Sequence, residues 1–367
     1  MVSHRPQIVQ KFFYLIQLAI RKCPVENIPI DEKEWDIIYK MAVKQSLVGL
    51  VFEGVQNLTE LYPDQKPSVN LLFEWIGQTE QIKSRNKQMD NRSAMLKRMF
   101  ESKGYDSCIL KGQGVARLYP VPEVRQPGDI DIWVDGKRDD IIKNLKSDFI
   151  GLSYIDYVNC HADFFTDAEV EVHFRPTWMY NPITNMKVQK WIQKNKDAQM
   201  KEYDNEVGFG YPTVSFNLVF SLIHIYRHIF QEGIGLRQLM DYYFILTQST
   251  LKEREDTFKT LKSFGLGKFV AAIMYIMQQV FEMDRDLMLC ESNTPEGEFL
   301  LGEILRGGNF GQYDDRIKRL SIERRWSNGV ENLKRNLTYL KRYPSEVLWM
   351  PLWKLWHFVW RAWKGYL

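Results

Sequence analysis

Cysteine is scarce and scattered: Cys23, Cys108, Cys160 and Cys290 lie far apart and form no CxxC pair. This spacing suggests neither a zinc knuckle nor a disulfide scaffold, and it fits a reducing cytoplasm. Charge of one sign is equally scarce, since 49 Lys and Arg stand against 46 Asp and Glu for a net +3. A polyanion-binding protein usually carries a larger excess, so bulk charge neither requires nor excludes nucleic acid. No stretch reaches 18 uncharged apolar residues, which argues against a spanning helix. Internal repeats and low-complexity tracts are absent too. The apolar run 12–20 follows Arg5 and Lys11 as in a signal peptide, but it contains Gln17 and lacks a small-residue cleavage site. It reads as a first core helix.

What is present is bulk: 45% of the 367 residues are apolar, and 11 Trp, 18 Tyr and 21 Phe supply a sizeable core. Residues 1–100 read as a helical segment, with apolar spacing near 3.6 over 34–58 and a long amphipathic stretch over 71–100. Near residue 105 the texture changes. Residues 105–110 look like a short buried strand, Lys111-Gly112-Gln113-Gly114 is a glycine turn, and 115–119 is helix-like. Strand, glycine turn and helix form an arrangement that faces phosphate. After a proline-rich loop, residues 129–135 alternate acidic and apolar side chains as a half-buried strand does, which places Asp129 and Asp131 on one face. Residues 139–149 are helix-like, and 154–159, 161–166 and 169–174 alternate again. Helices return from residue 215 to the C-terminus. The expected fold is α+β: a small mixed sheet over 101–212, flanked by helical segments at 1–100 and 213–367.

Two carboxylates at i and i+2 on a strand, with a third on a neighbouring strand, hold one or two Mg²⁺ ions through hard oxygen ligands. The natural third member is Glu171, between Val170 and Val172. Metals held this way bridge the phosphates of a nucleoside triphosphate, while a glycine turn and helix N-terminus receive phosphate oxygens. Most of the chemistry is then positioning and charge neutralisation.

These residues resemble a known family. Leu110-Lys-Gly-Gln-Gly, Arg117-Leu-Tyr-Pro, Arg125-Gln-Pro-Gly-Asp-Ile-Asp-Ile-Trp-Val and Val170-Glu-Val-His-Phe, in that order, are similar to the DNA polymerase beta-type nucleotidyltransferase superfamily, in particular to an uncharacterised bacterial family within it. The resemblance implies that Gly112 takes the glycine position, that Asp129 and Asp131 are paired metal ligands, and that Glu171 is the third carboxylate, which in the superfamily commonly helps deprotonate the attacking hydroxyl. It covers residues 105–175 clearly and extends more weakly to about 245. Two departures stand out. Gln113 occupies a place where many members have Gly or Ser, and the gap from Gly112 to Asp129 is long; Gly114 is the candidate to supply the lost backbone freedom.

The other polar residues carry two readings each. Lys111 and Arg125 either contact phosphate or pair with carboxylates. His173 shares a strand face with Glu171 and either touches substrate or orients Glu171. His224 and His228 have zinc-ligand spacing but no third ligand, so helix packing with one histidine at the cleft is preferred. Arg237 and Asp241 form an i, i+4 ion pair unless, as the resemblance suggests, Arg237 approaches the nucleotide.

The C-terminus needs its own explanation. Trp349, Trp353, Trp356, Trp360 and Trp363 are spaced 4, 3, 4, 3 on one helical stripe, and 316–364 holds twelve Lys and Arg against three Asp and Glu. The stripe packs on the helical segment or a second copy, or it lies on a membrane surface, or its basic side holds a nucleic acid such as tRNA. Pro351 is expected in the first turn of this helix. Taken together, the chain is expected to be an Mg²⁺-dependent nucleotidyltransferase in the cytoplasm, peripheral on the inner membrane face if the stripe is an anchor. It would use a triphosphate, by default ATP, and an acceptor that is a small molecule, a protein or an RNA end. The competing classes are a non-catalytic nucleotide-binding relative and a membrane-associated scaffold.

Overall fold

A computed structural model describes residues 6–21, 28–316 and 335–366. Cys23 and the basic stretch 317–334 lie outside the described residues. The N-terminal part contains α1 (Gln7–Arg21), α2 (Glu32–Gln45), α3 (Val48–Leu61) and α4 (Val69–Ser102). The single periodic stretch 34–58 is divided in two. Ser46 takes a left-handed conformation with φ 55° and ends α2, so that α3 turns back across it. Helix α4 is 34 residues long and bridges both cores. Near its start Trp75 is buried against Tyr39 and Phe52, and further on Met89, Leu96 and Phe100 cover the sheet.

The sheet has five strands, β1 (Ser107–Leu110), β2 (Ile130–Val134), β3 (Leu152–Ile155), β4 (Asn159–Ala162) and β5 (Val170–His173), in the order β1-β2-β5-β4-β3. Only β2 and β5 are parallel. Helix α5 (Gly112–Ala116) follows β1, and α6 (Arg138–Ser147) and α7 (Pro182–Lys201) lie in and after the sheet region. Helices α8 (Val214–Gln231), α9 (Leu236–Thr247), α10 (Leu251–Ser263), α11 (Gly267–Phe281) and α12 (Thr294–Gly307) follow. The last element is α13 (Pro344–Lys364).

The alternation along β2 decides where the site sits. Ile130, Ile132 and Val134 face a core completed by α4 and α6, through Phe100, Ile141 and Leu145. Trp133 faces the other way and stacks on Phe216 of α8 at 5.7 Å. Asp131 has the parity of Trp133, so strand geometry carries its carboxylate to the sheet face that the helical layer covers.

Helix α13 departs from two expectations. It begins at Pro344, so Pro351 lies in its interior rather than in the first turn. An interior proline costs a helix ~3 kcal/mol. Packing outweighs that cost here: Val347 and Met350 are buried, and Glu346 accepts a hydrogen bond from the Tyr180 N–H at 2.8 Å. The indole stripe is also split. Trp353 stacks on Trp178 at 3.9 Å and Trp360 lies under the Arg138 guanidinium at 4.5 Å, whereas Trp349, Trp356 and Trp363 are exposed. Five indoles spaced 4, 3, 4, 3 fan over an arc, and the burial of Met350 and His357, with Trp353 half-buried between them, turns one edge of that arc to solvent.

Candidate active site

Parallel pairing of β2 with β5 sets Asp131 opposite Glu171 and Trp133 opposite His173. Opposed residues share a sheet face, and three potential ligands therefore converge: atoms of Asp131, Glu171 and His173 all lie within 4.8 Å of one another. His173 Nε2 is 2.7 Å from Asp131 Oδ1 and 3.3 Å from Glu171 Oε2. The imidazole orientation is fixed from behind, because Nδ1 lies 3.2 Å from the Arg175 carbonyl oxygen. A carbonyl only accepts, so Nδ1 carries a proton and Nε2 is the atom presented to the carboxylates.

The electrostatics follow from charges held in a small space. Burial opposes ionisation of Asp131, but the Lys111 ammonium, 2.9 Å away, and His173 outweigh it and hold the carboxyl below its usual range. Glu171 is likewise lowered, to about 2, with His173 and Lys111 overcoming burial. Burial also opposes the charged form of His173, yet the two carboxylates raise it to about 9. Asp129 moves the other way. It stands one residue before β2, and burial together with the negative charge of Asp131 lifts it to about 6. A cluster with one carboxyl held up by its neighbours and an imidazole aimed at two carboxylates suits a divalent cation, whose charge would favour every ionised oxygen.

The glycine turn is sharper than the sequence implies. Helix α5 starts directly at Gly112, where φ is +28° and a Cβ would meet only the Asp129 carbonyl oxygen at 3.7 Å. Lys111 has φ 51° and ψ −138°, a conformation that costs a residue with a Cβ about 1–3 kcal/mol and aims its ammonium at Asp131. Gln113 and Gly114 point away from the site. The Gln113 amide donates to Asp90 Oδ1 at 2.6 Å on α4, and a Cβ at Gly114 would come within 2.6 Å of Tyr211. Gly114 thus serves close packing, and its backbone freedom is not used toward the clefts.

Two openings beside this centre share Asp129, Arg237 and Phe310 in their walls. A small pocket is lined by Lys111, Gly112, Arg125, Asp129, Asp131 and Arg237, with His224 at its wall. Beside it, a cleft of about 760 Å³ runs along Asp129, His161, Thr166, Glu169, Arg237 and Phe310. Its size falls within the roughly 300–1,000 Å³ of small-molecule sites. Arg125 is 5% exposed and grips Asp241 with Nε–Oδ1 2.7 Å and Nη2–Oδ2 2.8 Å. Tyr119 donates its hydroxyl to the same carboxylate. The expected i, i+4 pair of Arg237 with Asp241 is therefore not made, because Arg125 and Tyr119 take the acceptor. Arg237 instead donates Nη1 to the Gln126 carbonyl at 3.0 Å, and its buried Nε has no hydrogen-bond partner. The His224 and His228 rings lie 4.2 Å apart, and burial, ahead of the Lys111 charge, holds both well below the usual imidazole value.

Sequence reasoning missed several neighbours. Asn159 donates its side-chain amide to Glu171, and His161 Nε2 lies 3.5 Å from Glu171 Oε1. Both come from β4, which pairs His161 with Glu171 and Asn159 with His173. The alternating polar positions of β4 were the available signal. Phe310, with φ 50°, comes from a turn about 140 residues beyond Glu171 and carried no signal at all.

No curated protein matches the chain. Among solved structures, an antigenic nucleotidyltransferase-like protein from Paracoccidioides brasiliensis is similar with a TM-score of 0.37 and 13% identity, over 58% of this chain and 97% of that one. A family profile described as uncharacterised nucleotidyltransferase matches residues 31–282, from the start of α2 to the end of α11. By that match, which takes in both paired strands and the glycine turn, the chain belongs to the uncharacterised nucleotidyltransferase family.

Proposed function

We propose that the protein transfers a nucleoside monophosphate from a nucleoside triphosphate, by default ATP, to a hydroxyl or phosphate of an acceptor, breaking the α–β phosphoanhydride bond and releasing pyrophosphate. The observation that carries this reading is the register of β2 with β5, which sets Glu171 beside Asp131, and Asp131 in turn lines a pocket with Gly112. In this reading Asp129, Asp131 and Glu171 are the catalytic carboxylates and the oxygen ligands, with His173 beside them. These residues would hold a divalent ion, Mg²⁺ arriving with the triphosphate, which would neutralise phosphate charge and favour in-line displacement. Asp131, Glu171 and His173 would hold a second ion, with His173 Nε2 giving up its proton to bind it.

Lys111 and Arg237 are the phosphate-binding cations, and Gly112 allows close approach of the backbone. Arg237 has a buried donor without a partner at the junction of both openings, which a phosphate oxygen would satisfy. Arg125, already gripped by Asp241, serves as the rigid wall of the pocket. Glu171 accepts a hydrogen bond from the attacking hydroxyl and orients it. The sheet region 101–212 is the transferase core, and the helical segments 1–100 and 213–367 wall its clefts. The acceptor, whether small molecule, protein or RNA end, enters by the larger cleft.

Titration calorimetry with ATP, CTP, GTP and UTP, each with and without Mg²⁺, tests the reading. Binding of one triphosphate that requires Mg²⁺ and is lost in the Asp129→Ala/Asp131→Ala variant is the expected result. A folded wild-type protein that binds none of the four overturns it.

A further inference from the structure

Helix α13 carries a surface that nucleotidyl transfer does not use. Its inner face is tied to the sheet region at both ends. Tyr180 N–H donates to Glu346 near the start, Trp353 stacks on Trp178, Tyr157 N–H donates to His357 Nε2 at 3.3 Å, and Lys364 pairs with Asp139 at 3.0 Å. Its outer face is apolar and is covered by no described residue. Leu348, Leu352, Leu355 and Val359, spaced 4, 3, 4, are each more than half exposed. Trp349, Trp356 and Trp363 flank that row at intervals of seven on one side, and Phe358, half exposed, flanks it on the other. Exposed apolar groups contiguous on this scale mark a docking surface.

We propose that this outer face seats the protein on the surface of a bilayer containing anionic phospholipid. Three observations favour lipid over a second copy of the chain. First, the 4, 3, 4 row has the spacing of a coiled-coil seam, but the flanking positions, polar in two-stranded coils, are Trp and Phe here. The apolar sector is therefore about half the helix circumference, wider than one partner helix covers. Second, three indoles line one edge of that sector, where an interfacial helix places them at the headgroup level. Third, charge on and before the helix is of one sign. Glu346, the acid on this segment, is 2% exposed and turned inward; Arg342 pairs with Glu296 and Lys364 with Asp139, whereas Lys341, Lys354 and Arg361 make no ion pair with a described residue. Nothing acidic on α13 opposes a negative surface.

The surface extends beyond α13. Asn181, which caps α7, hydrogen-bonds Ser345 at 2.9 Å, and the first turns of α7 carry the exposed side chains Ile183 and Met186. Docking would be peripheral, because no helix among the described residues is long and apolar enough to cross a membrane. It would also be rigid, since the inner-face contacts hold α13 to the body of the protein.

The test is flotation of the full chain with phosphatidylcholine vesicles, with and without phosphatidylglycerol, for wild type and Leu352→Asp/Leu355→Asp. Both replaced side chains are more than half exposed, so the variant is expected to keep the wild-type melting temperature and triphosphate binding. Wild type is expected to float with the phosphatidylglycerol vesicles, less in high salt, and the variant to bind them roughly a hundredfold more weakly. Absence of wild-type flotation, equal flotation on neutral vesicles, or flotation untouched by the two substitutions overturns the proposal. So does a wild-type dimer in light scattering that the same substitutions dissociate, because a second copy is then the occupant.

Discussion

At the sheet, Asp131 and His173 are charged groups almost wholly withdrawn from water, while on α13 Leu355 and Trp363 are apolar groups left in it. Each region breaks the usual sorting of side chains in the opposite sense. The carboxylate centre tolerates burial because its charges neutralise one another: Lys111 and His173 on one side, Asp131 and Glu171 on the other, with Asn159 and the Arg175 carbonyl completing the hydrogen bonds. The outer face of α13 has no such internal solution, since nothing described in the chain covers it. Buried polarity that is satisfied internally points to chemistry within the protein, whereas exposed apolar area points to a surface outside it.

The largest effect is expected at the first region. Asp131→Asn keeps shape and volume but removes the charge that balances Lys111 and His173, and it should lower nucleotidyl transfer by roughly 10²–10³-fold. Radiolabelled triphosphate turnover checks this. Wild-type turnover in the variant would place the reaction elsewhere.

A smaller effect separates the two faces of α13. Trp353→Ala removes the stack on Trp178 and should cost about 3 kcal/mol in urea unfolding, whereas Trp363→Ala, 78% exposed, should change stability by no more than about 0.5 kcal/mol. Equal costs at the two positions would mean that the inner and outer faces are not distinct.

The smallest effect depends on pH. Burial lifts the Glu346 carboxyl from 4.5 to about 7, against the Tyr180 N–H and the Arg227 charge, which favour ionisation. Below pH 4.5 the folded and unfolded chains both hold this proton, and the group contributes nothing. Between 4.5 and about 7 only the unfolded chain releases it, so stability falls as pH rises through that window and stays reduced above it. Glu346→Gln keeps an acceptor for Tyr180 N–H without the charge. It should match wild type near pH 4 and exceed it near pH 8 by at most about 3 kcal/mol, as urea unfolding at the two pH values would show. An equal difference at both pH values would mean that the fold leaves the Glu346 carboxyl titrating as it does in the unfolded chain.

Much of the sheet region was legible because its signals are local. Period-two alternation marked β2 and β5, and the position of Lys111-Gly112 after a buried strand marked the turn. The boundaries of β3 and β4 were less legible: 154–159 and 161–166 were expected where 152–155 and 159–162 form strands. Short polar strands at a sheet edge have little apolar pattern to set their register. The partners of Arg125 and Gln113 were not legible at all. Both depend on residues more than 20 positions away, Asp241 and Asp90, and side-chain pairing at that distance leaves no periodic trace.

The sequence by itself determined the family motif, the order of helical and sheet segments, and the parity that puts Asp131 and Trp133 on one strand face, because each follows from near-neighbour spacing. Only the tertiary structure decided that Glu171 and His173 reach Asp131 through a parallel pairing and that Arg125 rather than Arg237 holds Asp241. It likewise decided which indoles of the C-terminal stripe turn inward. A strand chooses its neighbour, and a helix its buried edge, according to which pairing hides the most apolar area and satisfies the most buried polar groups across the whole chain.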